Sequence, residues 1–147
     1  MATVRASLSM KGDGGALLRT CKIESSSPEF DEFLGIIGDR IQLKGWTGYR
    51  GGLSNKESEV TGKESVFTKF DGYNIMFHVS TLLPYNANDL QQLERKRHVG
   101  NDIVTIVFQD EPGILFSPLT ISSHFLRTVR AFLLHIFDPC VLQISLW

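Results

Sequence analysis

Residues 65–108 read SVFTKFDGYNIMFHVSTLLPYNANDLQQLERKRHVGNDIVTIVF, and three kinds of pattern follow one another along them. Ser65 to Phe70 alternates apolar with polar, as a half-buried strand does. Asp71-Gly72 is a hairpin turn pair, and Tyr73 to Leu83 returns as an apolar-biased strand that Pro84 ends. Asn88 with Gln91 three residues later resembles a capping box, which predicts a helix start. Leu90 and Leu93 give that helix a narrow apolar face. Arg95, Lys96 and Arg97 crowd its last turns, where cations suit the negative end of the dipole, and Gly100 breaks it. Ile103 to Phe108 is then an almost unbroken apolar run, the pattern of a strand buried on both faces. Strand, helix and strand in this order predict an α/β fold, a mixed sheet with flanking helices. The crossover through the helix is long enough for parallel pairing.

Upstream, Ser27-Pro28 is an N-cap followed by the residue best tolerated at the first helical position. Phe30, Phe33, Leu34 and Ile37 follow at i, i+3, i+4 and i+7, so a short helix is expected up to Gly38. Ile41-Gln42-Leu43 reads as a brief strand. Lys44 to Thr61 is a long polar loop with Gly45, Gly48, Gly51 and Gly52, anchored by Trp46 and Tyr49. Residues 1–27 are rich in Gly and Ser and read as a disordered leader. Downstream, Leu126 to Trp147 is an apolar, irregular tail. Within it Phe125, Val129, Phe132 and Leu133 fit a terminal helix over His124 to Phe137.

The 147 residues suffice for one domain, and 42% hydrophobic residues can fill a core. Fifteen basic against 16 acidic side chains exclude the strong positive field of a general nucleic-acid binder. Two cysteines, Cys21 and Cys140, are too few for a disulfide scaffold or a structural zinc site, which suits the cytoplasm. No stretch has the 18 or so apolar residues of a membrane span, and no apolar h-region marks a secretory signal.

Self-contained catalysis finds no support in the motifs. Gly62-Lys63 has Glu57 upstream and Glu64 behind it, so it is not a phosphate-binding P-loop. No Ser sits in a G-x-S-x-G elbow. His78 and Ser80 share a strand face, but no orienting acid is evident, and a half-buried strand pair is the simpler reading. His78, His98, His124 and His135 lack metal-ligand spacing. Arg95-Lys96-Arg97 is too short a basic run for a nucleic-acid patch.

The remaining oddity is a run of cations ending in a carboxamide, just ahead of a buried strand. At 100° per residue, Asn101 and Arg97 both fall within about 20° of Leu90, so a helix persisting to Asn101 projects both from its end. Alternatively Asn101 is a left-handed cap after Gly100, and the pattern alone favours the cap.

Lys96-Arg97-His98-Val99-Gly100-Asn101-Asp102-Ile103-Val104, preceded by Ile75-Met76-Phe77-His78-Val79-Ser80-Thr81-Leu82-Leu83-Pro84-Tyr85, resembles the catalytic core of the Rap GTPase-activating proteins. That family includes the signal-induced proliferation-associated proteins and tuberin. Trp46-Thr47-Gly48-Tyr49-Arg50-Gly51-Gly52-Leu53, Thr61-Gly62-Lys63-Glu64-Ser65-Val66, Gln91-Gln92-Leu93 and Ser123-His124-Phe125 extend the resemblance from about Pro28 to Phe125. The resemblance implies that Asn101 is an "asparagine thumb" entering the nucleotide site of a Rap-type small GTPase. It places Lys96, Arg97 and His98 at positions used for docking that partner and supporting the thumb. GTP and magnesium would arrive with the partner, and the chain would need no cofactor of its own. Ser54 stands where the family commonly has Asp. Past Phe125 the chain departs from the family's pattern, so an incomplete domain over 28–125 is expected, with an uncovered sheet edge. A truncated, non-catalytic GTPase-binding or interfering fragment is the alternative reading, and homodimerisation is doubtful.

Overall fold

The computed structural model describes residues 3–10, 26–56, 60–99, 101–102, 104–109, 131–137 and 141–146. They form one seven-stranded mixed sheet with helices beside it. The strands are β1 (Thr3–Met10), β2 (Asp39–Gln42), β3 (Glu64–Phe70), β4 (Tyr73–Val79), β5 (Val104–Gln109), β6 (Ala131–Phe137) and β7 (Val141–Leu146). The helices are α1 (Pro28–Ile37) and α2 (Leu93–Val99). Across the sheet the order is β2-β3-β4-β1-β5-β6-β7.

The hairpin forms as its sequence dictates. Asp71 and Gly72 both take positive φ, 47° and 79°, which twists the turn to match its strands. β3 and β4 then pair antiparallel, with Phe70 opposite Tyr73 and Val66 opposite Phe77. β4 and β5 do run parallel, but β1 lies between them and pairs with both. Residues 3–10 therefore form a central strand where a disordered leader was expected. Val4, Ala6, Leu8 and Met10 alternate with Arg5, Ser7 and Ser9, a period of two that composition had masked.

The tail also differs from expectation. Ala131–Phe137 is a strand rather than part of a terminal helix. It pairs parallel with β5, and β7 pairs antiparallel with β6. The sheet continues past β5 instead of ending in an open edge there. Six apolar residues among the seven of AFLLHIF suit a strand in mid-sheet better than a one-sided helix.

α1 covers one face. Ser27 caps it, its hydroxyl accepting from the Phe30 N–H at 3.2 Å. Phe30, Phe33 and Leu34 pack with Val66, Phe77, Val79 and Phe108. The Phe30 and Phe33 rings each stand 5.4 Å from that of Phe108. The opposite face receives the glycine-rich loop, where Leu43, Leu53, Phe67, Met76 and Leu83 cluster against Ile41, Trp46 and Tyr49. Trp46 anchors the loop as expected: its indole N–H donates to the Tyr49 carbonyl at 3.1 Å, and its ring meets Phe67 edge-on. β4 is thus buried on both sides, with Phe77 and Val79 toward α1 and Met76 toward the loop.

α2 starts later than the sequence suggested. Asn88 does not cap it; Asp89 does, its carboxylate accepting from the Leu93 N–H at 2.8 Å and the Gln91 N–H at 2.9 Å. Those amides, Leu93 foremost, hold the Asp89 carboxyl below the usual range. The expected apolar face is absent as well, since Leu90 and Leu93 are exposed. Among the described residues, Gln92 and Arg95 are the side chains α2 and its approach bury.

Candidate functional site

Between β4 and α2 the chain is held by polar groups. Arg95, 2% exposed, donates to the Leu83 carbonyl from Nε at 3.0 Å and Nη2 at 2.7 Å, and to the Pro84 carbonyl at 3.1 Å. Its guanidinium also lies 5.1 Å from the Tyr85 ring centroid. Gln92 takes a positive φ of 49°, a strained conformation for a non-glycine residue. Its side chain compensates by accepting from the Asn86 N–H at 3.1 Å and donating to the Asn86 and Asp89 carbonyls. A pattern search for apolar stripes overlooks these two anchors, because both are polar residues in a polar run.

The helix ends at Val99, so it does not persist to Asn101. Asn101 sits in a turn beyond it, exposed to solvent, with its N–H donating to the His98 carbonyl at 3.4 Å. The next residue is the opposite in character: Asp102 is fully buried. Its Oδ2 meets Nδ1 of His78, itself 1% exposed, at 2.8 Å. The Nε2 of His78 bonds the Gly51 carbonyl at 3.0 Å. A carbonyl oxygen only accepts, so Nε2 carries a proton. The orienting acid that the strand sequence did not reveal is therefore Asp102, 24 positions downstream of His78 in the numbering.

The glycines make this contact possible. Gly51 and Gly52 take φ of 61° and 96°, which L side chains rarely adopt, and the backbone there turns its carbonyl onto β4. His78 lies two residues from Met76, on the loop-facing side of the strand.

Of the docking candidates, His98 joins this cluster. Its ring stands edge-on to that of His78, centroids 5.4 Å apart at 76°. Burial, reinforced by His78, holds the His98 imidazole below its ordinary range, against a weaker upward pull from Asp102 and Glu94. Arg97 points to water, 69% exposed, with Glu94 at 3.4 Å one turn back. Lys96 is half-buried, and its N–H donates to the Gln92 carbonyl. The structure thus ties His98 to the buried pair and leaves Arg97 and Asn101 at the surface. Among the described residues no group of three or more His, Cys, Asp or Glu could hold a metal ion, and no helix is long and apolar enough to cross a membrane.

Comparison with known proteins follows the same segment. Residues 20–131 match the Rap/ran-GAP family model. Human GTPase-activating Rap/Ran-GAP domain-like protein 3 is 58% identical over 104 residues, 69% of this chain and 10% of that protein. Human signal-induced proliferation-associated 1-like protein 2 is 50% identical over 117 residues, 80% of this chain and 7% of that protein. The chain spans about a tenth or less of the length of these relatives. A solved structure of the TSC2 GAP domain has the same fold, with a TM-score of 0.83 at 24% identity, covering 99% of this chain and 80% of that one. With the family model matched over most of its length, the chain belongs to the Rap/ran-GAP family.

Proposed function

We propose that this chain stimulates GTP hydrolysis by a Rap-type small GTPase, presenting Asn101 in trans to the partner's nucleotide. The observation that carries the reading is an exposed carboxamide beside a buried, paired neighbour, at a family-matched position. Hydrolysis of a phosphoanhydride needs a positioned water more than a covalent partner. A carboxamide offers an N–H donor and a carbonyl acceptor at once, so it can hold a water's proton while facing a phosphate oxygen. Lysine or arginine can offset charge but cannot accept from the water.

Arg97 and Lys96 supply positive charge on the same segment, suited to steering an anionic nucleotide-bearing partner. Exposed Leu90 and Leu93 offer apolar contact next to them. GTP and magnesium come with the GTPase, and the setting is the cytoplasm.

Single-turnover GTP hydrolysis by Rap, Ral and Rheb proteins, with and without the chain, tests this. The wild-type chain should accelerate one of them. Asn101→Ala should lose most of that acceleration, on the scale of the ~10³-fold or more that trans-acting GTPase activators supply, while still binding. A variant that stimulates normally removes Asn101 from the role. Binding without any stimulation by the wild-type chain makes it a GTPase-binding fragment instead.

A further inference from the structure

We propose that His78 and Asp102 act as a positioning pair, holding the turn that presents Asn101; the inference rests on the function proposed above. α2 is anchored through Gln92 and Arg95 but stops short of that turn. It is a helix of seven residues, it ends two positions short of Asn101, and Leu90 and Leu93 are not packed beneath it. Among the described residues, the backbone hold on Asn101 is one long hydrogen bond, 3.4 Å to the His98 carbonyl.

Asp102 provides what the helix does not. Adjacent Cα atoms are a fixed ~3.8 Å apart, so pinning Asp102 pins the base of Asn101. Asp102 is fully buried and reaches across to β4, where His78 meets it at 2.8 Å. His78 is in turn secured on its other nitrogen by the Gly51 carbonyl at 3.0 Å. The chain of contacts therefore runs from the glycine-rich loop through the sheet to the surface carboxamide. His98, edge-on to His78, closes the same cluster from α2. A misplacement of about 1 Å at a reacting group can cost ~100-fold in rate, so such support has a kinetic signature. Both residues are positioning groups; neither is exposed to touch a nucleotide.

The test uses the full chain with Asp102→Ala and Asp102→Asn. The asparagine can donate to a neutral His78 Nδ1 while Nε2–H keeps the Gly51 carbonyl, so it should preserve the turn. In Asp102→Ala, amide hydrogen exchange across residues 98–104 should quicken by about tenfold or more, with β3 and α1 still protected. Its single-turnover rate with the GTPase should fall by about 10- to 100-fold, with affinity changed by less than about threefold. Asp102→Asn should recover both readouts to near wild type.

Unchanged exchange in the alanine variant would overturn the proposal, as would an affinity loss that parallels the rate, or an asparagine variant no better than alanine. If the wild-type chain accelerates no GTPase, the functional reading fails, while the exchange pattern still judges the pair. Should Asp102→Ala lose its cooperative melt, His78→Gln replaces it. That side chain can meet Gly51 or Asp102 but not both, and the same outcomes apply.

Discussion

Arg95 holds the Leu83 carbonyl from two nitrogens, Nε at 3.0 Å and Nη2 at 2.7 Å, with almost none of its side chain exposed. Lysine offers one charged nitrogen and no fork, so it cannot reproduce this grip. Arg95→Met fits the apolar stem but leaves backbone acceptors dry, at a cost on the order of 3 kcal/mol. Chemical denaturation should show that loss for Arg95→Met and a substantial part of it for Arg95→Lys. Equal stability of Arg95→Lys and wild type would show that the second nitrogen contributes nothing.

Gly62 is irreplaceable on two counts. Its φ is 94°, and a Cβ there would fall 2.3 Å from the Leu82 carbonyl oxygen. Gly72 supplies the control, with φ 79° and open space around it. Gly72→Ala should cost about 1–2 kcal/mol from backbone strain alone. Gly62→Ala should cost clearly more in the same denaturation series, because Leu82 must also move. Equal losses would assign the whole penalty to dihedral strain.

Burial, with His78 beside it, lowers the affinity of His98 for a proton in the folded state. The unfolded chain protonates at an ordinary histidine value, near 6.5. Below that pH the unfolded state binds the extra proton, so folding stability falls as pH drops toward the depressed folded value. The contribution is fully present above about pH 7. His98→Gln should flatten the fall in melting temperature between pH 7 and pH 5. An unaltered slope would locate the acid sensitivity elsewhere.

Arg97 and Glu94 are both 69% exposed, and their 3.4 Å contact lies in full solvent. Removing it should alter stability by no more than about 0.5 kcal/mol. Under the proposed function, Arg97→Ala should instead slow association with the Rap-type GTPase, most clearly at low salt. Stopped-flow association rates at two ionic strengths read this out; a rate independent of the substitution at low salt would dismiss the steering role.

Much of the scaffold was legible because it rests on local rules. Ser27 and the Phe30, Phe33, Leu34 stripe announced α1, and Asp71-Gly72 announced the β3–β4 turn. What escaped was set by distant partners. Arg95 is buried by carbonyls 11 and 12 positions earlier, and no periodicity carries that information. The acid that meets His78 comes from the far side of α2 and was hidden in a segment read for its cations. Leu90 and Leu93 look like a helix face in one dimension, yet the polar anchors hold α2 so that both remain exposed. Lys96, Arg97, His98 and Asn101 stand out only through family resemblance. The spacing alone favoured a left-handed cap at Asn101; the structure has a turn there past the end of the helix, and Asn101 is not among the described residues with positive φ.

β1 precedes both of its neighbours in the chain, Tyr73–Val79 and Val104–Gln109. At ~5–20 residues per second, the chain waits roughly 5–20 s between the emergence of β1 and that of its second neighbour. During that interval the middle of the future sheet has nothing on one side, and non-local closure of this kind is slow even in a finished chain. Nascent-chain folding should therefore be gated by the arrival of β5, with β1 a natural client for chaperones that shield extended strands.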